Sequence, residues 1–116
     1  MGKKYAAYVG SYTFIGNSKG ITIYDVDVEK GRFTKKGEAT VNNSSYLAVS
    51  HDRKYLYSIV DEGIASFRIL EDGMLEQMNI ATIQGMRGCY LFLDPTDRYI
   101  FVSAYHDGKL TVLNIR

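Results

Sequence analysis

The chain has 116 residues, with 14 Lys and Arg against 13 Asp and Glu, and therefore carries a net charge of +1. This balance excludes the strongly basic surface that is typical of nucleic-acid binding, so no nucleic-acid partner is expected. No apolar run at the N-terminus is long enough for a signal peptide or a membrane span, so no membrane association is expected. The single cysteine, Cys89, rules out an internal disulfide and predicts a reducing, cytoplasmic location.

Metal and cofactor chemistry finds no support in the residue pattern. Two His and one Cys lie far apart along the chain, which is not the spacing of a zinc site. Neither a Gly-x-Ser-x-Gly elbow nor a Gly-rich phosphate loop occurs. We therefore expect no metal and no cofactor. Cys89 is predicted to open an inner strand, and we expect it to be a small buried hydrophobe rather than a nucleophile.

Short apolar runs with β-branched and aromatic residues, separated by turn residues, predict strands along the whole chain. Seven are predicted at 5–9, 21–28, 33–41, 46–50, 54–60, 64–70 and 74–83, and three more lie between residues 90 and 115. The run at 46–50 is mostly apolar, which suits an inner strand packed on both faces. The sequence shows no sustained 3.6-residue periodicity, so we expect no substantial helix.

Turn chemistry supports these strands. Gly63, Gly73 and Gly108 each follow an acidic residue, which predicts tight hairpins with positive φ. Pro95, the only proline, follows Asp94 and suits the first corner of a turn.

The strongest signal is an internal repeat. The segment from Tyr46 to Arg68 matches that from Tyr90 to Asn114 at a spacing of 44 residues, and residues 20–26 match residues 63–69 at a spacing of 43. Repetition of a strand-rich unit at ~40–50 residues is typical of β-propeller blades, which have four strands each. The ten tyrosines fall at equivalent strand positions and are interpreted as core packing rather than as stacking platforms for nucleic acid.

The sequence therefore predicts an all-β fold, a partial β-propeller of about two and a half four-stranded antiparallel blades. Residues 1–41 form a three-strand blade, 42–85 a complete blade and 86–116 a second three-strand blade. Strand edges left open in such an array are usually covered. We expect either further C-terminal blades or other copies, in a homo-oligomer, to cover them.

Propeller geometry sorts the loops onto two faces, because links between blades and turns after each second strand lie together. One face gathers Tyr12, Asn42, Asn43, Asp61, Glu62, Arg87, Tyr105, His106 and Asp107, while His51 and its neighbours lie on the other. Only the first face has a carboxylate, a guanidinium and an imidazole from different blades that could converge on one ligand, where a base could activate water and a donor could hold an oxyanion. Glu62 or His106 could be the base, and Arg87 could bind an oxyanion, phosphate or carboxylate.

Structural roles compete for the same three residues. Glu62 could be an ordinary turn acid, Arg87 could brace an inter-blade loop, and His106 could be an exposed hairpin residue. Tyr12, Asn43 and Tyr105 are the candidates for substrate binding on the same face.

Five sequence segments carry a resemblance to a known family. They are YVGSYT (8–13), KGITIYDVD (19–27), NSSYLAVS (43–50), KYLYSIVDEG (54–63) and DPTDRYIFVSAYHDGKLTVL (94–113). In this order they resemble the lactonase family of seven-bladed β-propellers, which includes bacterial 6-phosphogluconolactonases and fungal carboxymuconate-lactonizing enzymes. The likeness runs from Tyr5 to Ile115 and corresponds to the family's first third.

The resemblance implies hydrolysis or formation of a lactone ring, with no metal required, at one mouth of the central channel. The family usually has His where this chain has Tyr90, and often Asn where it has Ala104. Tyr90 is accordingly a substrate-binding candidate. We expect 6-phosphogluconolactonase-like hydrolysis of a small sugar lactone in the full-length or assembled protein. The alternatives are a non-catalytic propeller that binds a small ligand or a protein partner, and a fragment with no activity of its own.

Overall fold

The structure, a computed structural model, describes residues 5–14, 16–83, 87–104 and 107–115. These residues form ten strands, and none of them is helical. The strands are β1 (Tyr5–Gly10), β2 (Gly20–Asp27), β3 (Arg32–Thr40), β4 (Tyr46–Val49), β5 (Tyr55–Val60), β6 (Gly63–Ile69), β7 (Leu75–Thr82), β8 (Tyr90–Leu93), β9 (Tyr99–Ala104) and β10 (Lys109–Asn114). Within these ranges, no helix has the length and apolar character that a membrane span needs.

The strands form three antiparallel sheets, each built from strands that are consecutive in the chain. The first sheet has the order β1-β2-β3, the second β4-β5-β6-β7, and the third β8-β9-β10. Every pairing is antiparallel. The predicted all-β, partial-propeller architecture, with three, four and three strands, is confirmed.

The sequence repeat corresponds to a repeat in the hydrogen bonds. In the β4–β5 turn, the Ser50 amide donates to the Tyr55 carbonyl at 2.9 Å, and 44 residues later the Asp94 amide donates to the Tyr99 carbonyl at 3.2 Å. Arg53 in the first turn and Asp97 in the second are also 44 residues apart, and both have positive φ, of 62° and 59°. The equivalent turns therefore share one backbone conformation despite different side chains.

Two apolar clusters join the three sheets. The first lies between the first and second sheets and contains Ile21, Leu56 and Phe67, all at most 1% exposed. The second lies between the second and third sheets and contains Ile59 and Leu91, each 1% exposed. The middle strands β5 and β6 of the second sheet are therefore buried on both faces. Each Å² of apolar surface that this removes from water stabilises the fold by about 25 cal/mol.

The β5–β6 turn shows why one predicted turn glycine is required. Gly63 has φ of 150°, and a Cβ added there would lie 2.0 Å from the Ala81 carbonyl oxygen. No side chain fits at that distance, so only glycine lets β7 pair this closely with β6.

Three expectations about burial are wrong. The β4 strand is not buried on both faces, because Tyr46 is 36% and Val49 43% exposed, even though the Tyr46 ring contacts Tyr90 of β8. Cys89 is exposed, since it lies in the link before β8, where its thiol donates to the Ser103 carbonyl at 3.3 Å. Most of the tyrosines lie outside the core. Tyr57 alone among the nine described ones is buried, whereas Tyr5, Tyr12, Tyr46, Tyr90 and Tyr99 are exposed.

The turn from Asp94 to Asp97 has an acidic anchor. Asp97 donates its amide to the Asp94 carbonyl at 2.9 Å, which places Pro95 at the first corner, as predicted. The Asp94 carboxylate accepts the Thr96 hydroxyl and the amides of Arg98 and Tyr99, both at 2.8 Å. The hydroxyl of Thr96 first, and then these amides, lower the pKa of Asp94 to about 2.

We expect Asp94→Asn to lower the melting temperature by several degrees at pH 7 and by almost nothing at pH 2. The folded pKa of about 2 lies below the unfolded value of about 3.9. The stabilisation is therefore fully present above pH ~4 and is lost as the pH falls toward 2. Thermal unfolding followed by circular dichroism across this range measures the difference.

Asp25→Asn is the matched control, because Asp25 makes only a long surface contact with Lys36 at 3.4 Å. A melting difference between Asp94→Asn and the parent chain that stays constant from pH 7 to pH 2 would contradict this role for the carboxylate.

Candidate functional site

One face of the sheet stack brings together segments that are far apart in sequence. We call it the mouth face and define it by the described residues of the β1–β2 loop (11–14 and 16–19), of the first link (41–45) and of the second link (87–89), together with the β5–β6 turn at 61–62. The amide of Asp61 donates to the Asn42 carbonyl at 3.0 Å, which joins the turn to the first link. Ser44 anchors that link from below, through a buried 2.7 Å hydroxyl contact with Ser58.

Asn43 is the centre of the hydrogen bonds on the mouth face. Its side-chain oxygen accepts the amide of Thr13 at 2.6 Å and the Thr13 hydroxyl at 3.2 Å, and its side-chain nitrogen donates to Asp61 at 2.8 Å. Its φ is 56°, a conformation that Asn tolerates better than most residues. One amide side chain therefore holds the β1–β2 loop, the first link and the β5–β6 turn together.

Arg87 joins the second link to the same network. One terminal nitrogen donates to the Asp61 carboxylate and the other donates to the Asn43 carbonyl oxygen. Its guanidinium carbon also lies 5.7 Å from the centre of the Tyr12 ring, within the range of a cation–π contact. Both ends of the guanidinium fork are engaged, so an anion that binds these nitrogens competes with Asp61.

Glu62 is the second exposed carboxylate of this group, after Asp61. Its side chain accepts one hydrogen bond, from the Asn42 side-chain nitrogen at 3.0 Å. The carboxylate of Asp61, the preceding residue, instead accepts hydrogen bonds from the Asn43 and Arg87 side chains. Glu62 is thus oriented by the first link, and its carboxylate can accept a proton from a bound water.

Tyr90 belongs to an aromatic cluster beside the links. Its ring meets the Tyr46 ring edge to face, with centroids 4.8 Å apart, and lies 5.8 Å from Phe92. Phe92 stacks on Phe101 at 4.9 Å. Partial burial, and then the neighbouring phenol of Tyr90, raise the pKa of Tyr46. The Tyr46 phenol therefore stays neutral near pH 7, and the two side chains offer ring surface together with hydroxyl groups.

The described residues bring four sequence-predicted candidates to the mouth face, namely Tyr12, Asn43, Glu62 and Arg87, and a fifth, Tyr90, lies beside it at the start of β8. The other two, Tyr105 and His106, lie outside the described residues. A role for His106 as base therefore stays a prediction. Sequence reasoning missed Thr13, which has no distinctive motif, and Tyr46, although its spacing of 44 residues from Tyr90 was a signal that could have revealed it.

Comparison with known proteins links the whole chain to one family. Residues 6–116 match the family described as "Lactonase, 7-bladed beta-propeller". A 6-phosphogluconolactonase of Bacillus subtilis (strain 168) is 32% identical over 97% of this chain and 34% of its own length. A 6-phosphogluconolactonase of Formosa agariphila is 28% identical over 93% of this chain and 33% of its own length.

Solved structures agree. The periplasmic gluconolactonase of Pseudomonas aeruginosa is similar with a TM-score of 0.85 and 29% identity, over 98% of this chain and 35% of that chain. A structure from Bacteroides fragilis NCTC 9343 has a TM-score of 0.87 and 32% identity, over 97% of this chain and 33% of that one. The chain thus spans about a third of the length of the relatives it matches.

We expect Asn43→Ala to lower the free energy of unfolding by about 1 kcal/mol more than Asn43→Gly does. At positive φ the Cβ of Ala is strained, whereas Gly has no Cβ. Both variants lose the contacts to Thr13 and Asp61. Urea denaturation followed by circular dichroism gives the two free energies of unfolding.

Asn17→Ala, in the exposed β1–β2 loop, is the control and should leave the unfolding midpoint unchanged. Equal destabilisation by Ala and Gly would show that the strained backbone of Asn43 contributes nothing.

Proposed function

Because this chain belongs to the lactonase family of seven-bladed β-propellers, we propose that the ring to which its sheets contribute hydrolyses a sugar lactone. The substrate class is that of 6-phosphogluconolactone and related aldonolactones. The similarity to relatives named 6-phosphogluconolactonase and to a solved gluconolactonase supports this assignment. The remaining walls of the site then come from further blades.

The hydrogen-bond network on the mouth face is the observation that supports this proposal. Three inter-strand segments and the second link meet there through Asn43, Asp61 and Arg87, and the Glu62 carboxylate lies beside them. A lactone carbonyl held next to this carboxylate would be attacked by water. Oxygen from the water adds to the carbonyl carbon, the ring C–O bond breaks, and the ring oxygen leaves as a hydroxyl after taking up a proton.

We assign the role of general base to Glu62 in this proposal. It takes the proton of the attacking water, and the Asn42 side chain fixes its direction. Arg87 is a positioning residue, because its two terminal nitrogens hold Asp61 and the Asn43 carbonyl. Because Arg87 holds the β5–β6 turn in place, it also sets the position of the Glu62 carboxylate. The oxyanion is then held by donors other than these two nitrogens.

The proposal extends to cellular context. Hydrolysis of a sugar lactone belongs to carbohydrate metabolism, and we propose a cytoplasmic location on the basis of the single cysteine.

A second candidate function is ligand binding without catalysis. It is supported by Tyr90, which stands where the family resemblance places a histidine and packs on Tyr46 at 4.8 Å. An aromatic pair with exposed rings suits stacking on a sugar face and provides no imidazole for proton transfer.

We expect the protein, in its assembled form, to hydrolyse 6-phosphogluconolactone or gluconolactone faster than the spontaneous reaction. Glu62→Gln should lower kcat by about a hundredfold or more, since loss of a general base typically costs that much. Arg87→Lys should lower kcat and the unfolding midpoint together. Acid release followed with a pH indicator measures the rate.

Glu71→Gln is the matched control, because Glu71 is an exposed acid of the β6–β7 turn on the opposite face. Activity at the spontaneous rate, combined with saturable lactone binding, would replace the catalytic proposal with the binding one. An active Glu62→Gln variant with the parent rate would remove Glu62 from the mechanism.

A further inference from the structure

The β1–β2 loop is the longest of three equivalent connections between strands. The strand bounds leave residues 11–19 for this loop, 61–62 for the β5–β6 turn and 105–108 for the β9–β10 turn. The three connections are equivalent because β2, β6 and β10, the strands that follow them, occupy matching positions in the sequence repeat. Insertions in a repeat array map to loops on one face, which is often the binding face. The extra length of the β1–β2 loop therefore points to a role in binding.

The base of this loop is held in place by backbone contacts. The Ser11 amide donates to the Gly20 carbonyl at 2.8 Å, and the Gly20 amide donates to the Ser18 hydroxyl at 3.1 Å. Gly20 has φ of 127°, and a Cβ added there would lie 2.6 Å from the Val41 carbonyl oxygen. The base of the loop thus packs directly against the first link.

Two aromatic side chains of the loop stand on either side of an anchored residue. Thr13 is the anchor, because its amide and its hydroxyl both donate to the Asn43 side-chain oxygen, at 2.6 and 3.2 Å. The rings of Tyr12 and Phe14 have centroids 5.5 Å apart and an interplanar angle of 52°. Tyr12 is 52% and Phe14 70% exposed. An anchored loop therefore presents two apolar ring surfaces on the mouth face.

The Tyr12 ring lies over the second link, so its position depends on contacts within the described part of the chain. The Arg87 guanidinium carbon is 5.7 Å from the centre of this ring. The same guanidinium binds the Asp61 carboxylate and the Asn43 carbonyl oxygen. Glu62 follows Asp61 in the β5–β6 turn. Through Arg87, the Tyr12 ring is therefore connected to the turn that carries the Glu62 carboxylate.

We propose that Tyr12 and Phe14 form an aromatic wall of the lactone site and determine its affinity for the sugar ring. This inference rests on the proposed lactonase function. The wall binds the C–H face of the lactone ring, since ligand sites combine aromatic surfaces with a few placed polar groups. A lactone bound to this wall lies beside the β5–β6 turn, where Glu62 is assigned as the general base.

The contact between Tyr12 and Arg87 separates the wall from phosphate recognition. The guanidinium lies against the ring, and both of its terminal nitrogens have partners within the chain. The wall therefore contacts the sugar ring, which phosphorylated and unphosphorylated lactones share. We expect it to contribute equally to the binding of 6-phosphogluconolactone and gluconolactone.

The test compares KM and kcat of the assembled protein for these two lactones. Tyr12→Ala should raise KM about fivefold for both and lower kcat less than twofold, because an aromatic contact acts on bound substrate and transition state alike. Phe14→Ala should change KM in the same direction, and Tyr12→Phe should restore most of the affinity that Tyr12→Ala loses. Tyr5→Ala is the matched control, since Tyr5 is 43% exposed at the opposite end of β1.

The lactam of gluconic acid, in which N–H replaces the ring oxygen, separates this inference from the proposed function. Calorimetry measures its binding, and circular dichroism checks that each variant is folded. An inactive parent that binds the lactam more tightly than Tyr12→Ala does would support the wall and refute the lactonase proposal. An active parent whose Tyr12→Ala variant keeps the parent KM for both lactones would overturn the wall alone.

Two further results would also overturn the wall. An effect of Tyr12→Ala on the phosphorylated lactone alone would assign Tyr12 to the phosphate. A loss of kcat with unchanged KM would mean that Tyr12 acts only by holding Arg87. A parent that neither hydrolyses lactones nor binds the lactam would refute both the wall and the lactonase proposal.

Discussion

The middle strands β5 and β6 of the second sheet are packed on both faces, and the positions of the other elements depend on this. In β5 every residue from Leu56 to Val60 is buried, although successive side chains of a strand point to opposite faces. Leu56 and Val60 pack toward the first sheet, while Tyr57 and Ile59 pack toward the third. A half-buried strand would alternate apolar and polar residues, and β5 does not.

The mouth face follows from this stacking. Each link runs from the outer strand of one sheet to the inner strand of the next, so adjacent links and the turn after β5 end close together. Short links have little backbone freedom, and Asn43 therefore adopts positive φ while its side chain holds both neighbours. The opposite face has its own connection between sheets, where the His51 ring and amide both bind Asp97, at 2.7 and 3.0 Å. The second and third sheets are thus joined by polar contacts at both ends of their apolar interface, through Arg87 and Asp61 on one face and His51 and Asp97 on the other.

Much of the fold could be predicted from the sequence because the repeat spacing, the strand alternation and the turn glycines all indicate the same unit. Burial was harder to predict, since it depends on which sheet lies opposite. Cys89 and Tyr46 adjoin apolar runs in the sequence, yet Cys89 lies in an exposed link, and Tyr46 stays 36% exposed although its ring packs on Tyr90 of the third sheet. The candidate site could likewise be predicted only in part. Propeller topology predicts which loops lie on the same face, whereas the ion pair between Arg87 and Asp61 depends on side-chain geometry that residue spacing does not reveal.

Native-state hydrogen exchange of the backbone amides tests the central role of the second sheet most directly, because local stability follows burial and packing. The account predicts that amides of β5 and β6 exchange slowest, through unfolding of the whole chain, and that those of β3 and β10 exchange through smaller openings. Equal protection in all three sheets, or stronger protection in the first or third sheet than in the second, would contradict it.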